Sequence, residues 1–493
     1  MAKYDFDAIV IGGGAAGLTA SGIAANFGAK TMMIEKDRLG GDCTWTGCVP
    51  SKVLLKAGKV AHQIKHASQF GLIDQQPEIN FEKVIEHIHQ TRQDIYEDAD
   101  RPEIFEDMGI EVVKGVAHFL DDHQVAIQLE DGTTRRVSAR YFIICAGASA
   151  FTPPIEGLNN VSYLTNDSLF EISDLPQELT VIGAGPIGTE MAQALERLGS
   201  TVTVIDVADR IMTNDDPELT GKLKESLEKE GIKYVLGAEV KRVSQRGDAI
   251  ITAVECQGEE KQITGDQLLM ATGRRANVDG LGLDAAGVEY TDQGIEVNDR
   301  CRTNKSHIYA CGDITGQYQF THMSEHMAKV ATTHALLKFP MKIDRKNVPW
   351  VTFTDPELGH VGATEQELKS NGNSYETYRF PYSKIDRALT EAEGEGLIKI
   401  HAKKWNGKIY GASVLGAHAG ELISEYAVAM KNGVTLRNLA DTIHPYPTYS
   451  LGARRAADQW YIKNQSEWQI KFFQKIFGLR GDIPDLSDPD RIV

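Results

Sequence analysis

Cysteine is scarce in this chain, with six in 493 residues. That density excludes a secreted scaffold held together by disulfides. Long apolar runs are missing too: nothing approaches the ~20 apolar residues that a membrane span needs. Basic residues are outnumbered, 52 Lys and Arg against 69 Asp and Glu, and the net charge of −17 argues against a nucleic-acid binder. No spacing of cysteine or histidine resembles a zinc site, and no resident metal is expected. A strand begins within a few residues of Met1, which leaves no room for a signal peptide, so the expected location is the cytoplasm. Apolar residues make up 42%, enough for large cores, and the length suits about three domains.

Two of the six cysteines stand out. They lie in Gly40-Gly41-Asp42-Cys43-Thr44-Trp45-Thr46-Gly47-Cys48-Val49-Pro50-Ser51-Lys52. Pro50 suits the first turn of a helix. Thiols at such a start feel its positive end, which favours the thiolate. Taken alone, the pair fits a small disulfide-closed loop or two unpaired core thiols. Its neighbourhood favours a redox centre, because a complete dinucleotide-binding unit precedes it. Cys145, Cys256, Cys301 and Cys311 sit in apolar or strand-like surroundings and read as packed thiols.

That preceding unit starts with the strand Asp7–Ile11, followed by Gly12-Gly13-Gly14-Ala15-Ala16-Gly17, a small-residue helix, the strand Thr31–Ile34, and Glu35. The first glycine makes the turn, the second admits a pyrophosphate, and the third lets helix and strand approach. The start of the helix faces phosphate, and Glu35 is placed for a ribose hydroxyl. The pattern recurs as Leu179–Ile182, Gly183-Ala184-Gly185-Pro186-Ile187-Gly188, a helix, Thr201–Ile205 and Asp206. Gly12 to Gly183 and Glu35 to Asp206 are both offsets of 171 residues. Two nucleotide sites are therefore expected. A carboxylate at Asp206 favours NADH by repelling a 2′-phosphate, while Arg210 nearby leaves NADPH open. The Lys222–Glu230 charge run reads as a solvated helix face. From about residue 346 strands and helices mix, suggesting a third domain of α+β type.

Together these residues resemble the class I pyridine nucleotide–disulfide oxidoreductases, the family of glutathione reductase, dihydrolipoamide dehydrogenase and mercuric reductase. The resemblance runs from Asp7 to about Ala457. It implies an α/β fold with two Rossmann-like nucleotide-binding domains and a C-terminal α+β dimerisation domain. The implied boundaries are 1–150 with 276–345 for FAD, 151–275 for NAD(P), 346–465 for the interface, and a tail over 466–493. It implies FAD at Gly12, Gly14, Ala15, Ala16, Gly17, Glu35, Lys36, Gly41, Asp42, Lys52, Ala146, Gly147, Gly312 and Asp313. NAD(H) or NADP(H) is implied at Gly183, Gly185, Pro186, Ile187, Gly188, Asp206, Gly273 and Arg274. Cys48 corresponds to the thiol beside the flavin, and Cys43 to the outer thiol that meets the acceptor. Lys52 matches the lysine at the reducible edge of the ring, with Glu190 as its carboxylate partner. The implied assembly is a homodimer whose active site is completed by the C-terminal domain of the other subunit.

The C-terminal motif departs from the family's disulfide reducers, which carry His-Pro-Thr followed by two residues and Glu. Here the stretch reads His444-Pro445-Tyr446-Pro447-Thr448-Tyr449-Ser450-Leu451. Tyr446 takes the base position and Leu451 that of the Glu, and His444 is a candidate substitute base. A phenol titrates near pH ~10 and is a poor base at neutrality. Tyr446 and the phrase Phe320-Thr321-His322 resemble the mercuric-reductase branch, although that branch's N-terminal and C-terminal cysteine pairs are missing. His322 and His326, one turn apart, read as satisfied interior histidines. The reading is an FAD-dependent NAD(P)H oxidoreductase passing electrons through Cys43 and Cys48 to a disulfide, metal-ion or quinone acceptor. Dihydrolipoamide dehydrogenase is the alternative within the family, and a flavoprotein acting mainly as a binding or membrane-associated partner is the alternative outside it. The aromatic tail Trp468–Leu479 suits a membrane surface or a helix packed on the dimer.

Overall fold

The computed structural model describes residues 4–486. They fall into two compact units. One comprises residues up to His62, Gln76–Val207 and Ala238–Asp344; the other comprises Gln63–Gln75, Ala208–Gly237 and residues from Arg345 onward.

The first unit opens with β1 (Phe6–Ile11), α1 (Ala15–Asn26) and β2 (Thr31–Glu35). β1 lies parallel to β2, with Ile9 opposite Met32. The inward residues of α1 are small: Ala16, Gly17, Ala20, Ser21 and Ala24 are buried. That is why the helix can lie close to the sheet. α2 (Cys48–Lys65) follows the cysteine loop. Next come β3 (Glu111–Phe119), β4 (Gln124–Leu129) and β5 (Thr134–Ile144). β3 is parallel to β2 and β5 is parallel to β1, while β4 bridges β3 and β5 antiparallel.

The second nucleotide unit repeats the device with β6 (Glu178–Ile182), α3 (Pro186–Leu198) and β7 (Thr201–Asp206). An antiparallel sheet of β8 (Ala238–Arg246), β9 (Ala249–Cys256) and β10 (Glu259–Gly265) follows. β11 (Gln267–Met270) then lies parallel to β6. The chain returns to the first sheet as β12 (Ile308–Ala310), parallel to β5. α4 (Thr321–Leu337) packs against α1. The sheet's apolar core includes Ile9, Met32, Phe119, Phe142 and Ile308. At its C-terminal edge Cys145 and Cys311 sit in register, and both are buried together with Cys301. Burial, with the Cys145 and Cys301 sulfurs adding, pushes the Cys311 thiol well above its ordinary value. Cys256 is only half-buried.

The second unit centres on an antiparallel sheet in the order β13 (Pro349–Thr352), β14 (Glu357–Gly362), β17 (Ile409–Gly416), β16 (Leu397–Ala402) and β15 (Glu376–Pro381). α5 (Ala419–Lys431) and α6 (Ser450–Lys463) cover it over a core that includes Tyr378, Phe380, Tyr382 and Tyr426. The helix Pro217–Glu230 belongs to this unit. It buries Leu219, Leu223 and Leu227, and Lys224 pairs with Glu228 on its outer side. The junction is a buried charge hub: Lys399, 3% exposed, meets Asp216 at 2.7 Å, Glu218 at 3.1 Å and Glu365 at 3.4 Å. The last described helix is α7 (Glu467–Phe477). Among the described residues no helix is long and apolar enough to cross a membrane.

Candidate active site

Both glycine turns are sterically compulsory. Gly12 has φ +107°, and a Cβ there would stand 2.2 Å from the Cys145 carbonyl oxygen. A Cβ on Gly17 would stand 1.8 Å from the Gly12 oxygen. Gly183 and Gly188 repeat these contacts at 2.3 Å from Ala271 and 1.9 Å from Gly183. The middle positions differ. A Cβ on Gly185 would meet nothing within 4 Å, and one on Gly14 would touch only the Gly41 Cα, at 3.8 Å. Each loop is thus closed behind and open where a pyrophosphate would pass. The backbone N–H groups of Ala15 and Ala16 at the start of α1, and of Ile187 behind Pro186 at the start of α3, flank those openings, and Ile187 is exposed. The acid after each second strand braces its own loop. Glu35 accepts from the Gly13 N–H at 2.6 Å, and Asp206 accepts from the Ala184 N–H at 2.6 Å. Glu35 also accepts from the Asp37 N–H at 2.8 Å. Lys36 is exposed.

A second group of residues forms along the same edge. Arg274 pairs with Asp42, donates to the Ala148 carbonyl at 2.6 Å, and lies 3.6 Å from Asp313. Its Nε is buried without a hydrogen-bond partner. Burial pushes Asp313 up to about 6, with Arg274 partly offsetting it. A desolvated acid and an orphaned guanidinium N–H are what a polar, partly anionic ligand would satisfy. Gly147 and Gly273 both have positive φ, and a Cβ on either would meet nothing within 4 Å. Gly312 is the opposite case: a Cβ there would meet the Ser324 Oγ at 2.7 Å. These residues fit FAD, and the second loop fits a pyridine nucleotide.

The two cysteines meet at the ends of two helices. Cys48 is the first residue of α2, and Thr321 is the first of α4. The Thr321 hydroxyl lies 3.3 Å from the Cys43 Sγ and 3.5 Å from the Cys48 Sγ, so one oxygen serves both sulfurs. Cys48 is exposed and Cys43 half-buried. Hydrogen bonding from the Cys43 thiol, then Thr321 and the charge of Lys52, pulls Cys48 down to about 6. The same sulfur contact, with burial, pushes Cys43 up. Of the two sulfurs, Cys48 is thus the one that favours the thiolate. Lys52, one helical turn after Cys48, meets Glu190 of α3 at 2.9 Å. Glu190 is buried while Lys52 is partly open. The ammonium is thus fixed from behind and presents its charge forward. Thr44, beside Cys43, donates to the buried Asp100 at 2.7 Å, which anchors the cysteine loop.

Cys43, Cys48, Lys52, Glu190, Asp42, Arg274 and Asp313 are brought together within the first unit, whereas His444 and Tyr446 belong to the second. Both ring nitrogens of His444 face acceptors: Nε2 meets Glu425 at 2.8 Å and Nδ1 meets the Thr442 carbonyl at 3.0 Å. Its side chain is 7% exposed. The expectation that His444 could stand in as a base meets this obstacle, since neither nitrogen points outward with a lone pair. Tyr446 is 68% exposed, and Leu451 is buried. Arg210 is held by its own loop, donating to the carbonyls of Met212, Thr213 and Asp215. His326 accepts from the Asp344 N–H at 3.0 Å, and the exposed His322 stacks on Phe320.

Sequence reasoning quoted Thr321 without assigning it, and it missed Asp100 and Glu425 altogether. A threonine opening a helix after a loop was the available signal for Thr321. Asp100 and Glu425 carried none, being 56 residues from Thr44 and 19 from His444.

Comparison with known proteins gives a consistent picture. The family model for pyridine nucleotide-disulphide oxidoreductase matches residues 6–328. The model for that family's dimerisation domain matches residues 348–457 and indicates homodimer formation. A mercuric reductase from Bacillus cereus is 36% identical over 459 residues, covering 92% of this chain and 71% of that protein. A dihydrolipoyl dehydrogenase from Bacillus subtilis is 33% identical over 465 residues, covering 92% and 97%. The Cu(II) complex of the HOCl-induced flavoprotein disulfide reductase RclA from Escherichia coli superposes with a TM-score of 0.83 at 26% identity, covering 94% of this chain and all of that one. The chain belongs to the pyridine nucleotide-disulphide oxidoreductase family, whose members use FAD and NAD(P)H.

Proposed function

We propose that Cys43 and Cys48 are the two-electron relay of this flavoenzyme, and that its acceptors are thiophilic, with soft metal ions the first class to test. The observation that carries the proposal is the geometry of the pair: one Thr321 hydroxyl lies 3.3 Å from Cys43 and 3.5 Å from Cys48, Cys48 opens a helix, and the Lys52–Glu190 ion pair lies one turn on. FAD supplies two-electron transfer between NAD(P)H and that pair. Cys48 holds negative charge at neutral pH with Lys52 beside it. Glu190 keeps that lysine in place. Cys43 carries the proton until an acceptor engages. With a disulfide, the Cys43 sulfur attacks one substrate sulfur, the substrate S–S bond breaks and the first thiol leaves with the Cys43 proton; Cys48 then closes on Cys43 and expels the second as a thiolate that takes its proton from water. With a soft cation both sulfurs bind as thiolates, releasing the Cys43 proton.

Tyr446, exposed on its own subunit, is the side chain proposed to complete the partner's site. Its phenol offers an oxygen ligand or O–H donor, and at neutral pH it is no general base. Slow turnover of disulfides follows, because Leu451 cannot orient a base and His444 is engaged elsewhere. Relatives named mercuric reductase support the soft-metal class. FAD is proposed to occupy 1–150 with 276–345, the nicotinamide nucleotide 151–275, and the dimer interface 346–465. Asp206, and the engagement of Arg210 by its own loop, support NADH over NADPH.

Anaerobic titration with NADH tests the relay. The wild type should develop a long-wavelength charge-transfer band on reduction, and Cys48→Ser should lack it; a band that survives in the variant overturns the assignment. An acceptor screen then compares Hg(II) and Cu(II) with oxidised glutathione, quinones, and dihydrolipoamide with NAD⁺. High turnover of dihydrolipoamide would instead make the protein a dihydrolipoamide dehydrogenase.

A further inference from the structure

We propose that Arg92 is a positioning residue for the cysteine pair, setting how readily its two sulfurs join; the proposal rests on reading Cys43 and Cys48 as the relay. Four residues, Thr44 to Gly47, lie between the cysteines, and one helical segment grips them. The helix Phe81–Ile95 runs on into a π turn, Tyr96–Asp100. Arg92 donates from Nη1 to the Trp45 carbonyl at 2.6 Å. The Tyr96 ring lies 5.3 Å from the Trp45 ring, centroid to centroid. Asp100 accepts from the Thr44 hydroxyl at 2.7 Å. Steps of four residues drift around an α-helix by about 40° each. The wider π turn takes up that drift, so Arg92 and Asp100, eight residues apart, reach the same short loop. All of these residues lie in the first unit.

Arg92 is the charged anchor among the three. Its side chain is 7% exposed. The Trp45 carbonyl ends the short helix Gly41–Trp45, a place where a helix leaves its last carbonyls without an internal donor. Nη2 of the same guanidinium meets Glu171 at 2.9 Å. Nε is buried and makes no hydrogen bond, so the carbonyl and the carboxylate carry its hold. Glu171 also meets His89, on the same helix, at 3.3 Å. Gly40 leaves room for the second polar anchor: a Cβ there would stand 2.5 Å from the Asp100 Oδ2. Disulfide closure needs the two Cβ atoms about 3.8 Å apart. Holding the middle of the loop lowers the entropy lost on closure and raises the effective concentration of one sulfur about the other.

Prolonged anaerobic equilibration of the FAD-loaded full chain with glutathione buffers tests the proposal. The dithiol and one oxidised glutathione give the protein disulfide and two molecules of reduced glutathione. Arg92→Met should lower that equilibrium constant about tenfold, which raises the midpoint of the pair by about 30 mV. Arg92→Lys keeps the charge but offers a single amino group, and it should recover part of the shift. Glu171→Ala, at a half-exposed position, should lower the constant about threefold. FAD content and Tm are read alongside, because a merely structural Arg92 would lower Tm and leave the midpoint in place. An unchanged midpoint in Arg92→Met with FAD bound overturns the proposal. If that variant loses its FAD, an unchanged midpoint in Glu171→Ala overturns it instead. Failure of the relay reading has a different signature: the wild type itself would exchange no dithiol with glutathione and show no charge-transfer band, which overturns both.

Discussion

Replacing Thr321 with valine removes a single hydroxyl and almost no volume, and it should shift the acidity of the whole cysteine pair. That hydroxyl touches Cys43 at 3.3 Å and Cys48 at 3.5 Å. A hydrogen bond to a charged group contributes about 1.5–3 kcal/mol, and the long contact to Cys48 belongs at the lower end. At about 1.4 kcal/mol per pKa unit, Cys48 should rise by about one unit. Starting from about 6, the thiolate fraction at neutral pH then falls from roughly nine-tenths to roughly half. The measured midpoint belongs to the pair, since the two sulfurs share a proton. The assay is the pH dependence of iodoacetamide alkylation in the two-electron-reduced enzyme, followed beside the charge-transfer band. Thr321→Ser restores the hydroxyl and should restore the midpoint, while FAD content separates an acidity effect from misfolding. An unchanged or lower midpoint in Thr321→Val, with FAD intact, refutes the reasoning.

The two glycine loops should fail separately. Gly17→Ala forces a contact of 1.8 Å and Gly188→Ala one of 1.9 Å; overpacking of that kind costs about 1–3 kcal/mol or more. Gly17→Ala should purify with little yellow colour, whereas Gly188→Ala should keep its FAD and lose about 10- to 100-fold in NADH affinity. Asp206→Ser should narrow the preference for NADH over NADPH by about tenfold or more in kcat/KM, because it removes a charge-assisted hydrogen bond. Asp215, buried and bonded to Trp350 at 2.8 Å, is pushed by burial from 3.8 up to about 6. A raised carboxylate favours the folded state fully below pH 3.8, and that benefit is lost as pH rises through 6. Asp215→Asn should therefore raise Tm at pH 8 by the equivalent of about 3 kcal/mol and leave it little changed near pH 3.5; equal gains at both pH values would rule this out.

What the sequence disclosed was local, and what it hid was long-range. Gly12, Gly17, Gly183 and Gly188 were legible because a turn that tolerates no Cβ leaves its mark within six residues. Cys43 and Cys48 were legible because their loop follows such a turn. Tail amphipathicity was legible because Trp468, Phe472 and Ile476 repeat at helical spacing. Thr321 reaches the sulfurs from more than 270 residues away, and its place at a helix start does not tell which side chains it meets. The pairing of Arg274 with Asp42 crosses 232 residues. His444 is the reverse case. Its position in the motif suggested a base, while Glu425, on a separate helix, decides where the ring points.

The buried trio of Cys145, Cys301 and Cys311 bears on selectivity in an enzyme proposed to handle thiophilic reagents. Mercury, copper and hypochlorite all seek ionised, reachable sulfur. Here half of the cysteines are withdrawn from that competition. They are walled off beneath a sheet edge, and the Cys311 proton is held tightly. Under the proposed relay, a toxic electrophile arriving from solvent would find its acidic target at Cys48, where reducing equivalents could clear it, and would be kept from the three sulfurs packed beneath the sheet edge.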